Sequence, residues 1–136
     1  MKIKIGLGVF LILFIAIHST SFAFGFGRAL EQPPSPDLVR PYGEKVDLTG
    51  KDSLEFKWEI DDLMGISYCE FRLYKGYNMY EGNLVYKEQV QAPNHVVNVK
   101  AGLFIDGQSY TWYVYEVNLA GIKSDKAFSS FEVIKK

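Results

Sequence analysis

The sequence predicts an all-β protein in which about seven short antiparallel strands form a sandwich. From residue 37 onward, apolar and polar residues alternate in short runs, which is the period of a strand with one buried face. Glycine-containing turns separate these runs, for example at Lys75-Gly76, Asp106-Gly107 and Ala120-Gly121. No helical period persists in this part of the chain. Short, regularly spaced strands with such turns are typical of an antiparallel sandwich.

The first strands are predicted within residues 37–48 and 53–60. The run DLVRPYGEKVDL reads as one strand that is broken at Pro41-Tyr42-Gly43, since proline has no N–H to donate. The run SLEFKWEI alternates cleanly between two faces. It places three large apolar residues on the inward face, and these are Leu54, Phe56 and Trp58.

Five further strands are predicted around residues 68–74, 84–90, 96–100, 110–117 and 129–134. The same alternation assigns an inward face to most of them. The predicted inward residues are Cys69, Phe71, Leu73, Val97, Val99, Tyr110, Trp112, Val114, Phe131 and Val133.

The N-terminal residues 1–23 predict a cleaved signal peptide. Lys2 and Lys4 precede an apolar run over residues 5–17, and small residues suit cleavage after Ala23. A retained anchor is the alternative, but a bilayer span needs about 20 apolar residues and polar residues follow too soon. We therefore expect an exported protein, periplasmic or extracellular, with no stable membrane span after cleavage. Residues 24–36 are a proline-rich linker or lead-in, and residues 37–136 are the domain.

Charge and cysteine content limit the classes of function. The formal net charge is −1 and the charged residues are scattered, so we expect no nucleic acid partner. Cys69 is the only cysteine, which excludes an internal disulfide. Its place on an inward face predicts a buried, inert thiol, and an interchain disulfide or an exposed thiol is the alternative.

Two segments resemble a known domain family. Residues 103–114, LFIDGQSYTWYV, and residues 118–124, NLAGIKS, resemble the E–F corner, the F strand and the F–G turn of fibronectin type III domains, in the form common in exported bacterial proteins. With Leu54-x-Phe56-x-Trp58, the strand from Cys69 and the opening residues from Pro36, the resemblance extends over residues 36–134. It implies a seven-stranded immunoglobulin-like, fibronectin type III β-sandwich.

The resemblance also assigns structural roles. Tyr110 would be the corner tyrosine, with its ring in the core and its hydroxyl bonded to backbone a few residues upstream. Trp112 would pack against Trp58 and Leu103. Glu116 departs from the family pattern near the end of its strand, and its charge makes deep burial unexpected.

The remaining tyrosines point away from the predicted core and could form a binding face around an arginine. Tyrosine and arginine are enriched at binding hot spots, and cross-strand pairing that only stabilises the sheet is the alternative. The loop at residues 75–83 adds further rings. The candidate binding residues are Tyr68, Arg72, Tyr74, Tyr77, Tyr80, Tyr113 and Tyr115.

The sequence lacks the motifs of a catalytic or metal site. After the signal peptide, His95 is the only histidine, and Asp61-Asp62 fits a strand-end turn. We expect no enzyme activity, no metal and no cofactor. The function predicted by analogy is a non-catalytic exported module for protein–protein interaction or adhesion in an envelope or extracellular assembly. The alternative is a carbohydrate-binding module that uses the tyrosine face. The partner is then another envelope or extracellular protein, or a glycan, and the oligomeric state is left open.

Overall fold

The structure is a computed structural model that describes residues 31–60 and 65–136. The strands are β1 (Asp37–Arg40), β2 (Lys45–Asp47), β3 (Ser53–Glu59), β4 (Ile66–Lys75), β5 (Leu84–Gln91), β6 (Val96–Lys100), β7 (Ser109–Asn118) and β8 (Ala127–Ile134). Short 3-10 helices lie at Glu81–Asn83 and Ala101–Leu103. The predicted signal peptide, most of the linker and Asp61-Asp62 lie outside the described residues. Within those residues, no helix is long and apolar enough to cross a membrane.

Two sheets pack face to face in the described part of the chain. The three-stranded sheet has the order β1-β3-β6, and the five-stranded sheet has the order β2-β8-β7-β4-β5. Neighbouring strands are antiparallel except β2 and β8, which run parallel. The predicted all-β sandwich is confirmed. The predicted count of seven strands is wrong, because the first strand forms two separate strands.

The first strand divides at the break predicted at Pro41. β1 pairs with β3 in the three-stranded sheet, whereas β2 pairs with β8 in the other sheet. Pro41 has no N–H to continue the ladder of β1. Its carbonyl oxygen instead accepts a hydrogen bond from Trp112 Nε1 at 3.0 Å, and Gly43 turns the chain with a φ of 61°. The segment therefore closes the sandwich by crossing from one sheet to the other.

The core lies between the sheets and contains the residues that the alternation placed inward, together with Leu48, Ile66, Val90 and Phe104. Trp58, Trp112, Phe56 and Phe71 are each 0% exposed. The ring centroids of Trp58 and Trp112 lie 6.5 Å apart, and those of Phe56 and Phe71 lie 4.9 Å apart at an edge-on angle of 62°. Such tilted and edge-on contacts are the favoured arrangement of aromatic rings. The predicted burial of both tryptophans is confirmed.

The corner before β7 also has the predicted hydrogen bond. The Tyr110 hydroxyl accepts a hydrogen bond from the backbone N–H of Ile105 at 2.9 Å, and the ring is buried. Gly107 adopts a φ of 76° and donates its N–H to the Val133 carbonyl at 2.8 Å. The expected role of Leu103 in the core is wrong, since Leu103 is exposed. Phe104 is the buried residue of this segment, 5.0 Å from the Tyr110 ring.

Cys69, near the start of β4, and Glu116, near the end of β7, lie on the inward face. Cys69 is buried as predicted, and burial raises the pKa of its thiol to about 11. Glu116 is 1% exposed, so the expectation that its charge would keep it from deep burial is wrong. It lies opposite Cys69 in the register of the sheet, two positions after Val114 on the same face. Its backbone N–H donates to Ser124 Oγ at 2.9 Å, which fixes this part of the strand.

Candidate functional site

The candidate site lies on the face of the five-stranded sheet that points away from the core, here called the outer face. The register of β4 and β7 places Glu70 opposite Tyr115, Arg72 opposite Tyr113 and Tyr74 opposite Thr111. This arrangement follows from strand alternation, because successive side chains point to opposite sides of the sheet. The members of the outer face on β4, β7 and β8 include Tyr68, Glu70, Arg72, Tyr74, Thr111, Tyr113, Tyr115, Phe128, Ser130 and Glu132.

Three tyrosines of the outer face form a continuous stack. The centroids of Tyr74 and Tyr113 are 5.8 Å apart with planes at 30°, and those of Tyr113 and Tyr115 are 6.0 Å apart with planes at 23°. Tyr74 is 2% exposed and Tyr113 is 4% exposed. The expectation that these two rings face water is therefore wrong. Stacking hides their ring surfaces, and the role of both residues in binding stays a prediction.

Two lysines lie over this tyrosine stack. Lys126 Nζ is 4.5 Å from the ring centroid of Tyr113, and Lys123 Nζ is 5.4 Å from that of Tyr115. An ammonium above the face of an aromatic ring is attracted by the negative charge of that face. Both lysines belong to the connection between β7 and β8. Sequence reasoning missed them, because the position of a turn residue over a neighbouring strand depends on the path of the turn.

Arg72 links the tyrosine stack to the loop between β4 and β5. Its Nε lies 3.3 Å from Glu70 Oε1 and its Nη1 lies 2.7 Å from Glu81 Oε1. The pKa of the Arg72 guanidinium is raised, first by its interaction with Tyr74 and then by the neighbouring groups that favour its charge. Because Glu81 belongs to the loop, this ion pair holds the loop at the edge of the outer face.

The loop at residues 76–83 presents two of the most exposed rings of the described residues. Tyr77 is 72% exposed and Tyr80 is 70% exposed. The Tyr77 hydroxyl lies 3.2 Å from Ser109 Oγ, and Asn83 Nδ2 donates to the Asn78 carbonyl at 3.1 Å. These hydrogen bonds give the loop a defined conformation. Tyr77 and Tyr80 were predicted as binding residues, and the structure places them beside the strands that form the stack.

Phe128 is an additional exposed ring on the outer face. It lies opposite Tyr113 in the pairing of β7 with β8 and is 61% exposed. Sequence reasoning missed it because the last strand was predicted to begin at residue 129. Extending the alternation of Phe131 and Val133 toward the start of the strand would have placed Phe128 on the outward side. Tyr68 and Tyr115 are only half-buried, so the outer face combines buried and accessible rings.

The chemistry of this face suits binding. The pKa of Tyr113 is raised, first by burial and then by the neighbouring Tyr74 hydroxyl. Lys123 and Lys126 bring ammonium groups beside the rings, whereas the charge of Arg72 is paired with Glu70 and Glu81. Within residues 31–60 and 65–136, no group of three or more histidine, cysteine, aspartate or glutamate residues could hold a metal ion.

Solved structures that are similar to this chain identify the type of sandwich. The fibronectin(III)-like modules of Clostridium thermocellum CbhA align over 74% of this chain and 97% of their own length, with 17% identity and a TM-score of 0.52. A computationally redesigned β-sandwich protein aligns over 78% of this chain and 97% of its own, with 8% identity and a TM-score of 0.53. No protein-family model and no curated protein matches the sequence. At such low identity these likenesses describe the fold alone.

Proposed function

The chain has a fibronectin type III-like β-sandwich fold, and from this premise we propose that it is a non-catalytic exported module for protein–protein interaction or adhesion. The outer face and the adjoining loop bind another protein of an envelope or extracellular assembly. The observation that supports this most is the set of accessible rings, Tyr77, Tyr80 and Phe128, beside a fixed tyrosine stack. Exposed aromatic groups are typical of interaction sites.

The stack supports binding because it reduces the conformational entropy that side chains of this face lose when a partner binds. Side chains that are mobile in the free protein lose conformational freedom on binding, at about 0.5–1.5 kcal/mol each. Here Tyr74 and Tyr113 are held by stacking, Arg72 by two carboxylates, and the loop by its own hydrogen bonds. A partner therefore meets a surface whose shape is already set.

Export is supported by the N-terminal pattern of Lys2, Lys4, the apolar run over residues 5–17 and the small residues before position 24. If this segment is a cleaved signal peptide, the secreted protein begins at Phe24. N-terminal sequencing of the protein recovered outside the cytoplasm tests this. A mature protein that still begins at Met1 would contradict cleavage.

A carbohydrate ligand has less support than a protein partner. Sugars stack on the open faces of aromatic rings, and both tryptophans are fully buried in the core. On the outer face, lysine ammonium groups lie over the rings of Tyr113 and Tyr115. These rings therefore offer little free face to a sugar.

Affinity capture from the envelope fraction of the exporting cell tests the proposal. The double variant Tyr80→Ala/Phe128→Ser removes two accessible rings without opening the core, so it should keep the melting temperature and lose the captured partner. Val39→Ser is the matched control, because Val39 is an exposed apolar residue on β1 of the other sheet. Capture that is equally strong with the double variant, the control and the unaltered protein would contradict binding at this face.

A further inference from the structure

The outer face has positive charge on both sides of the tyrosine stack. Lys123 and Lys126 lie over the stack from the connection between β7 and β8. Lys87 on β5 is paired with Arg72, which is paired in turn with Tyr113. Lys87 therefore lies on the β5 side of the stack. All three lysines are exposed. A ligand that crosses the sheet from β5 to β8 would therefore pass between ammonium groups.

These lysines are not neutralised by the ion pairs of the described residues. The salt bridges there join Arg40 to Glu55, and Arg72 to both Glu70 and Glu81. Glu70 and Glu81 thus bind the arginine, and within the described residues no salt bridge joins a carboxylate to Lys87, Lys123 or Lys126.

Two other carboxylates of this region are hydrogen-bonded to neutral donors. Glu88 accepts a hydrogen bond from the Tyr86 hydroxyl at 2.8 Å, and Asp125 accepts one from Gln32 Nε2 at 3.4 Å. The ammonium groups of these three lysines are therefore exposed and outside the salt bridges of the described residues. A partner of opposite charge is the complementary one.

We propose that the outer face binds an acidic peptide segment of another protein, whose carboxylates meet Lys87, Lys123 and Lys126 while its apolar side chains contact Tyr80 and Phe128. This inference rests on the proposed function and names the chemistry of the partner. An ammonium that lies over a ring is held near one position and still has N–H groups to donate. We favour a peptide over an acidic polysaccharide because the exposed rings of Tyr80 and Phe128 can bury apolar side chains of a peptide, and lysines already lie over the rings of Tyr113 and Tyr115.

Selection from a library of displayed random peptides tests the chemistry of the partner, with the exported protein as the target. We expect the selected peptides to combine aspartate or glutamate with apolar residues. Their affinity should fall about tenfold or more in Lys123→Glu/Lys126→Glu, and it should weaken as salt rises from roughly 50 mM to roughly 500 mM, since salt screens exposed charges. Lys100→Glu is the matched control, because Lys100 is an exposed lysine on β6 of the other sheet. Lys123→Gln/Lys126→Gln repeats the test with little change in shape.

The possible outcomes separate this inference from the proposed function. Neutral peptides that need Tyr80 and Phe128 but tolerate both lysine variants would overturn the acidic partner and leave the proposed function standing. Peptides that bind without regard to any residue of the outer face would overturn both. Binding of polygalacturonate, used as an acidic polysaccharide probe, that exceeds the binding of every selected peptide and depends on the same lysines would overturn the peptide as occupant.

Discussion

The two faces of the five-stranded sheet both bury aromatic rings, but they bury them among different neighbours. On β7, Trp112 points inward and is surrounded by other rings, with its indole N–H donated to the Pro41 carbonyl. Tyr113, the next residue, points outward and is 4% exposed, yet it lies between two tyrosines and beneath a lysine. Low exposure is therefore common to both faces, and only the inward face is closed by a second sheet.

We propose that this difference separates a stabilising face from a binding face. Rings sealed between two sheets stabilise the fold because they remove apolar surface from water and cannot be rearranged without opening the sandwich. Rings stacked on an outer surface among lysine and arginine side chains remain at the boundary with solvent. In the proposed function, they hold the surface on which the neighbouring Tyr80 and Phe128 contact a partner, and they are not essential for folding. Substitutions on the two faces should therefore separate stability from binding.

The largest expected effect is that of Trp58→Ala on the inward face. Trp58 is 0% exposed and contacts Phe71 and Trp112, so its removal leaves a cavity that should lower the free energy of unfolding by about 3–5 kcal/mol. Urea denaturation followed by circular dichroism measures this loss. An unchanged unfolding midpoint would mean that the ring is not part of the core.

A smaller loss is expected from Tyr113→Ala on the outer face. The substitution removes two stacked contacts and the ring beneath Lys126, which corresponds to about 2–3 kcal/mol of burial and ring contact. The protein should still fold and unfold in one step. A loss larger than that of Trp58→Ala in the same denaturation experiment would remove the distinction between the two faces.

The outer stack should also make stability depend on alkaline pH. The pKa of Tyr113 is raised above its ordinary value of 10.0, chiefly by burial. The contribution of the protonated Tyr113 phenol to stability is complete below pH 10. It is lost as the pH rises above 10, because the phenol then ionises in the unfolded chain while it stays protonated in the folded protein. Thermal unfolding at several pH values should show a shallower decline above pH 10 for Tyr113→Phe, which has no phenol at this position. Cys69 is present in both proteins, so its own raised pKa cancels in the comparison. Parallel declines would contradict the prediction.

The smallest effect on stability is expected from Lys126→Ala. This lysine is exposed and contacts the ring face of Tyr113, an interaction that stabilises by about 0.5–1 kcal/mol at exposed sites. Lys100→Ala on the other sheet serves as a control for the loss of an exposed lysine, and calorimetry of the two variants measures the difference. Equal unfolding free energies would show that the contact with Tyr113 contributes nothing to the fold.

Strand alternation predicted the inward face well, because a period of two is a local property of the sequence. Leu54, Phe56 and Trp58 needed only their spacing to be assigned correctly. The same rule placed Tyr113 outward, but it could not predict that the ring would be buried there. That burial depends on stacking with a neighbouring strand, and strand pairing involves residues far apart in sequence.

Other differences also arise from contacts that spacing does not encode. The division of the first strand between two sheets depends on what Pro41 and Gly43 contact after the chain turns, including the Trp112 indole. Glu116 was expected to avoid deep burial because of its charge, yet strand alternation dominates and places it inward beside Cys69. Lys123 and Lys126 were invisible as site residues, since only the path of their turn brings them over the stack.

Oxidative footprinting of the exported protein, read residue by residue by mass spectrometry, tests the separation of the two faces most directly. Tyr77 and Tyr80 should be modified rapidly in the free protein and protected when the captured partner is bound. Tyr113 and Trp112 should react slowly in both states. Stacking with neighbouring tyrosines hides the Tyr113 ring, and the three-stranded sheet covers the Trp112 ring. Modification of Trp112 as fast as that of Tyr77, or a partner that leaves Tyr77 and Tyr80 equally reactive, would contradict the account.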